Sequence, residues 1–141
     1  MELARFVEAQ DAGGTYAAAL AELRRGRKTS HWMWFVFPQL AGLGRSEMAV
    51  RYAVSDLAEA RSYLANPVLG QRLRECCTAL LDLGGSDPVA VFGGIDAVKL
   101  RSSMTLFARA AEAAPDRELF ASVLDKYFDG HDDLATIQLL S

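Results

Sequence analysis

Helix start and stop signals follow one another so closely along this chain that only a succession of short, mutually packed helices fits between them. Asn66-Pro67 and Asp87-Pro88 each set a capping residue before a proline at the first helical position, and Pro115-Asp116 opens a further segment. Gly13-Gly14, Gly26, Gly84-Gly85, Gly93-Gly94 and Asp129-Gly130 supply the stops. Between these marks apolar residues recur at spacings of three and four, as in Tyr16, Leu20, Leu23 and in Leu69, Leu73, Cys76/Cys77, Leu80. Leu100, Met104, Phe107, Ala111 and Phe120, Val123, Leu124, Tyr127 repeat the pattern, and alternation of period two is absent over any useful length. The expected architecture is all-α: a single compact globular domain over residues 1–141, with about seven to nine helices. In finer detail, Leu3, Phe6, Val7 and Gln10 predict an opening helix. Thr15, Ser30, Ser46 and Asp96 are expected as N-caps, Asp132 or Asp133 as the cap of the last helix, and Leu134, Ile137 and Leu140 as its inward face.

A chain of 141 residues with 51% hydrophobic and 23% charged content buries a core without disulfides or a structural metal. The net charge of −3 gives no field that would recruit nucleic acid or an anionic membrane, so neither is an expected partner. No apolar run approaches the roughly 18 residues of a membrane span, and the opening MELARFVE lacks the apolar stretch of a signal peptide. A cytoplasmic protein is expected. Cys76 and Cys77 are adjacent, point about 100° apart on a helix, and read as two buried thiols in a reducing compartment. With two histidines and no ligand spacing, no metal and no cofactor are expected.

Chemistry concentrates in a few places. The run Ser30-His31-Trp32-Met33-Trp34-Phe35-Val36-Phe37-Pro38-Gln39 holds both tryptophans. It reads either as a central hydrophobic helix or as an aromatic wall for a planar ring, with Trp32 or Trp34 stacking and His31 or Gln39 making polar contacts. Gly42-Leu43-Gly44-Arg45-Ser46 offers backbone amides and a guanidinium to an anion, although it matches neither a phosphate-binding loop nor a dinucleotide fingerprint. Arg24-Arg25-Gly26-Arg27-Lys28 is a local cluster of positive charge. Lys99 and Arg101 fall near a helix start, where the dipole disfavours cations, so Asp96 or a bound anion must compensate. Ser102, Ser103 and Thr105 lower helix propensity there without a local need, which suits either a site or close helix packing.

The segment SHWMWFVFPQLAGLG resembles the hallmark of a bacterial and fungal family often labelled "calpastatin". Asn66-Pro67-Val68-Leu69-Gly70, DAVKLRSSMTLF over residues 96–107, and Leu124-Asp125-Lys126-Tyr127-Phe128 also fit. The likeness covers essentially the whole chain and implies an all-helical domain of no established activity. Its motif positions fall on His31, Trp32, Trp34, Gln39, Gly42, Gly44, Lys99, Ser102, Ser103 and Thr105. A fainter resemblance, through Asp96, Val98, Lys99 and Met104, is to the NADAR N-glycosidases, which act on ADP-ribose-like substrates. Two functions follow as expectations. One is a site for a phosphorylated small molecule (nucleotide, ADP-ribose or sugar-phosphate-like), with His31, Gln39 and Lys99 as catalytic candidates for N-glycosidic hydrolysis. Trp32, Trp34, Gly42, Gly44, Arg45, Ser46, Ser102, Ser103 and Thr105 would then hold the ligand. The other is a non-catalytic protein-interaction module.

Overall fold

The glycine and proline marks reappear as helix boundaries in a computed structural model of the chain, which describes residues 3–141. Among these residues the helices are α1 (Ala4–Asp11), α2 (Thr15–Arg24), α3 (Met33–Val36), α4 (Glu47–Arg51), α5 (Leu57–Ala65), α6 (Leu69–Asp82), α7 (Pro88–Phe92), α8 (Gly94–Ala110), α9 (Ala114–Phe128) and α10 (Leu134–Leu140). Leaving aside the four-residue turn α3, this is the all-α domain that the sequence predicts. Long helices form where the apolar spacing is sustained. α6 buries Leu69, Leu73, Cys76, Cys77 and Leu80 on one side, with both thiols free.

α8 is the axis of the fold and packs against α5, α7, α9 and α10, while α6 packs against α2, α5 and α9. One continuous core unites them, from Phe6 and Leu23 through Trp32, Phe37 and Tyr63 to Phe107 and Phe120. Lys126 on α9 ties the end of α6 by donating to the carbonyls of Leu80 (3.0 Å), Leu81 (2.9 Å) and Leu83. Arg74 on α6 pairs with Asp116 at the start of α9 through Nε (2.8 Å) and Nη2 (2.9 Å). No helix among the described residues is long and apolar enough to cross a membrane.

Capping follows the sequence at Ser46, Asp87 and Asp133, whose side chains accept from the N–H of Ala49, Val89 and Thr136, and Asp56 caps α5 by accepting from Glu59 N–H. It departs from the sequence in three places. Thr15 lies within α2 and donates to the carbonyl of Ala12. Ser30 caps nothing and gives its hydroxyl to Glu22. Asp96 sits inside the first turn of α8, where it takes up ion pairs. For Ser30 and Asp96 a remote partner, Glu22 and Lys28 respectively, takes the group that would have capped. On α10, Leu134 is 70% exposed and Thr136 is the buried residue, so the inward face is rotated from the one expected.

Candidate functional site

The turn α3 separates the two tryptophans. Trp32 precedes it in a non-helical conformation and is fully buried against Phe37 and Phe92, with ring centroids 6.3 and 6.4 Å away. Two residues on, Trp34 is half-buried and lines a cleft of about 320 Å³. The cleft is closed by Lys28, His31, Met33 and Phe92 on one side and by Gly93, Gly94, Ile95 and Asp96 at the start of α8 on the other.

A buried carboxylate holds the segment that presents this wall. Glu22 accepts hydrogen bonds from the N–H groups of Thr29 (2.6 Å) and Ser30 (2.9 Å), from the Ser30 hydroxyl and from Trp32 Nε1 (3.0 Å). Burial on its own would raise the pKa of Glu22. The Ser30 hydroxyl, the Thr29 and Ser30 amides and the Trp32 indole outweigh it and bring the group down to about 2. Nothing in the local sequence marks Glu22. A charge on the inner face of α2, seven to ten residues before its partners, is the only sign it leaves.

Charge in the cleft is organised around Asp96. Lys28 Nζ lies 2.9 Å from its carboxylate, donates to the carbonyl of Ser30 (2.6 Å) and stands 5.0 Å from the centroid of Trp32. Lys99 Nζ is farther from Asp96, at 3.7 Å, and sits over the Trp34 ring at 5.3 Å. Asp96 is thus the acidic group that lets Lys99 stand near a helix start. Arg101 is accommodated differently, by donating to the carbonyls of His131 (3.0 Å) and Asp132 (2.8 Å). His31 is exposed at the rim.

The remaining predicted site residues lie elsewhere. Ser102 donates to the carbonyl of Val98 (3.2 Å), and Thr105 donates to that of Arg101 (2.8 Å) while accepting from Asp133 N–H (2.9 Å). Ser103 is fully buried, and its hydroxyl has no partner among the described residues. The Ser102 and Thr105 hydroxyls are thus engaged with the backbone, and Trp32 is fully buried in the core. Gly42, Gly44, Arg45 and Ser46 do not line the cleft. Gly42 faces Leu139 and has a positive φ of 102°, Gly44 is pressed against Ala49, and Ser46 is consumed as the cap of α4. Gln39 stands beside Gly44, and its carbonyl accepts from Val54 N–H (2.9 Å). Of the sequence candidates, the fold brings together His31, Trp34 and Lys99, and adds Lys28 and Asp96.

A larger concavity of about 630 Å³ lies on the outer face of α6, lined by Arg24, Pro67, Gln71, Arg74, Glu75, Thr78, Ala79, Asp82 and Leu83. It offers no aromatic face, and two of its charged groups are engaged, Arg74 with Asp116 and Glu75 with the Tyr16 hydroxyl (2.8 Å). Volume alone does not make it the better site.

A family model described as "Protein of unknown function (DUF1810)" matches residues 1–140. The chain belongs to this family. Its fold is also that of a solved structure, the conserved hypothetical protein Rv1873 from Mycobacterium tuberculosis, with 50% identity and a TM-score of 0.92 over 99% of this chain and 96% of that one. No curated protein matches the chain. DUF1810 membership and the Rv1873 likeness agree with an all-helical domain whose activity the comparisons leave open.

Proposed function

We propose that the cleft beside Trp34 binds a small molecule with a planar ring and a phosphate-like anion. The observation that carries this reading is a half-buried tryptophan, Trp34, that lines a 320 Å³ cleft and has the Lys99 ammonium 5.3 Å from its ring centroid. The ring stacks on Trp34 and the anion meets Lys99. His31 at the rim is the group suited to proton transfer, and hydrolysis of an N-glycosidic bond is the reaction to assay first. Thermal-shift measurements against nucleotides, ADP-ribose, NAD and sugar phosphates test the proposal. A ligand at 100 times its Kd stabilises the fold by about 2.7 kcal/mol and raises Tm by several degrees, a shift that Trp34→Ala or Lys99→Ala abolishes. If none of these compounds moves Tm, the proposal fails.

A second reading, a protein-interaction module, draws on a different observation. The motif residues Ser102 and Thr105 are spent on backbone hydrogen bonds, while Arg24, Arg25 and Arg27 stand exposed and α8 exposes Ile95 (77%) and Val98 (60%). Charge reversal at Arg24, Arg25 and Arg27 then abolishes capture of a protein partner, and an unchanged capture counts against the module.

A further inference from the structure

We propose that the 630 Å³ concavity on the outer face of α6 is a second binding site, and that its ligand is a basic amino acid. The site stands apart from the Trp34 cleft, with which it shares no lining residue.

Helical spacing puts Glu75, Ala79 and Asp82 on one face of α6, four and three residues apart, and all three line the concavity. Ala79 is buried and Leu83 half-buried, so both offer apolar surface to the stem of a ligand. From the other side α2 contributes Arg24, in its last turn. The volume falls well within the roughly 300–1,000 Å³ of small-molecule sites.

The four charges that line this space are not equally free. Arg74 gives Nε and Nη2 to Asp116 at 2.8 and 2.9 Å, and Nη2 also reaches the Leu64 carbonyl at 3.2 Å. It is committed to the crossing of α6 and α9. Glu75 accepts from the Tyr16 hydroxyl through Oε1, and its carboxylate has capacity for a further donor. Arg24 and Asp82 are exposed and line the same concavity, yet neither forms an ion pair with the other or with any other described residue. The open groups are therefore one guanidinium and two carboxylates.

Lysine and arginine carry the opposite set, one carboxylate and two cationic groups. The ligand carboxylate meets Arg24, and its two cations meet Asp82 and Glu75, each through a charge-assisted hydrogen bond. A neutral amino acid leaves one protein carboxylate unmatched, and a diamine leaves Arg24 unmatched. Because Arg24 and Asp82 are exposed, each contact is individually modest, and selectivity comes from making all three together.

Calorimetric titration of the full chain with L-lysine, L-norleucine and 1,5-diaminopentane separates these contacts. Norleucine lacks the side-chain ammonium, and diaminopentane lacks the carboxylate. Lysine should bind with a Kd of about 10 µM to 1 mM, and about tenfold more tightly than either analogue. Asp82→Asn should reduce the lysine–norleucine gap to about threefold or less, and Arg24→Gln should do the same to the lysine–diaminopentane gap. Both positions are exposed, and unchanged circular dichroism shows that the variants fold. Trp34→Ala should leave lysine affinity unaltered. No binding of lysine at about 10 mM, equal affinity for the three compounds, gaps that survive both variants, or loss of lysine binding in Trp34→Ala each overturns the proposal. The Trp34 cleft is tested with other ligands and other variants, so either reading can fail while the other stands.

Discussion

A carboxylate buried among four donors ties stability to pH, and Glu22 is such a group. Its folded pKa of about 2 lies below the ordinary 4.5, so the ionised form is the one the fold favours. Its contribution is therefore complete above about pH 4.5 and is lost as pH falls toward 2, a total of about 3 kcal/mol. Glu22→Gln removes this linkage and leaves an amide facing the Thr29 and Ser30 N–H donors, at a cost of about 2–3 kcal/mol near neutrality. Denaturant unfolding at pH 7, 4.5 and 3 measures both effects. The wild type should lose stability more steeply than the variant below pH 4.5, and parallel acid limbs would mean that Glu22 titrates normally in the folded chain. The same residue shows why the site was only half legible in the sequence. His31, Trp34 and Lys99 were visible as residue types that carry chemistry. That Trp32 turns inward and Trp34 outward depends on a carboxylate one helix away, which no local pattern announces.

Between elements, the crossing of α5 and α6 depends on Gly70. A Cβ there would stand 2.1 Å from the carbonyl oxygen of Leu64 and 2.9 Å from Arg74 Nη1. Backbone cannot retreat as a side chain can, so Gly70→Ala should destabilise by about 1–3 kcal/mol and loosen the Arg74–Asp116 pair. Gly94→Ala is the matched control, since nothing lies within 4 Å of a Cβ at that helix start. It should be neutral or stabilising by up to about 1 kcal/mol. Comparison of urea midpoints decides, and equal effects at the two glycines would refute the close-approach account. At this scale the sequence was most informative where a local rule acted unopposed. Asp87-Pro88 and Ser46 start α7 and α4 as expected. Asn66 takes up the N–H groups of Val68 (3.0 Å) and Leu69 (3.1 Å), and α6 begins at Leu69 rather than at Pro67. Ser30 and Asp96 obey the same local chemistry in principle, but Glu22 and Lys28 offer each of them a stronger partner.

Across the whole molecule, stability is unevenly spread. α6, α8 and α9 share the buried core and are cross-tied by Lys126 and Arg74, whereas α10 reaches the body through a short list of contacts. Asp133 N–H donates to Thr105, Arg101 donates to the preceding carbonyls, and Thr136 is buried, while Leu134 and Leu139 remain 70% and 50% exposed. Each of these polar anchors lies at or before Thr136, and beyond it α10 is held by the half-buried Leu140 on the core edge and by Leu139 against Gly42, so the end of α10 can open without disturbing α8. Amide exchange should therefore show two classes. Residues 100–107 exchange only through global unfolding, and residues 137–140 exchange at least about tenfold faster through local opening. Because one core joins the remaining helices, tryptophan fluorescence and helical circular dichroism should otherwise report a single coincident transition. Equal protection across both segments would make α10 part of that cooperative unit. Thr136→Val separates the anchor from the helix: it removes the hydroxyl that donates to Asp133 (2.6 Å) while keeping the shape, and should speed exchange in α10 while leaving α8 unchanged.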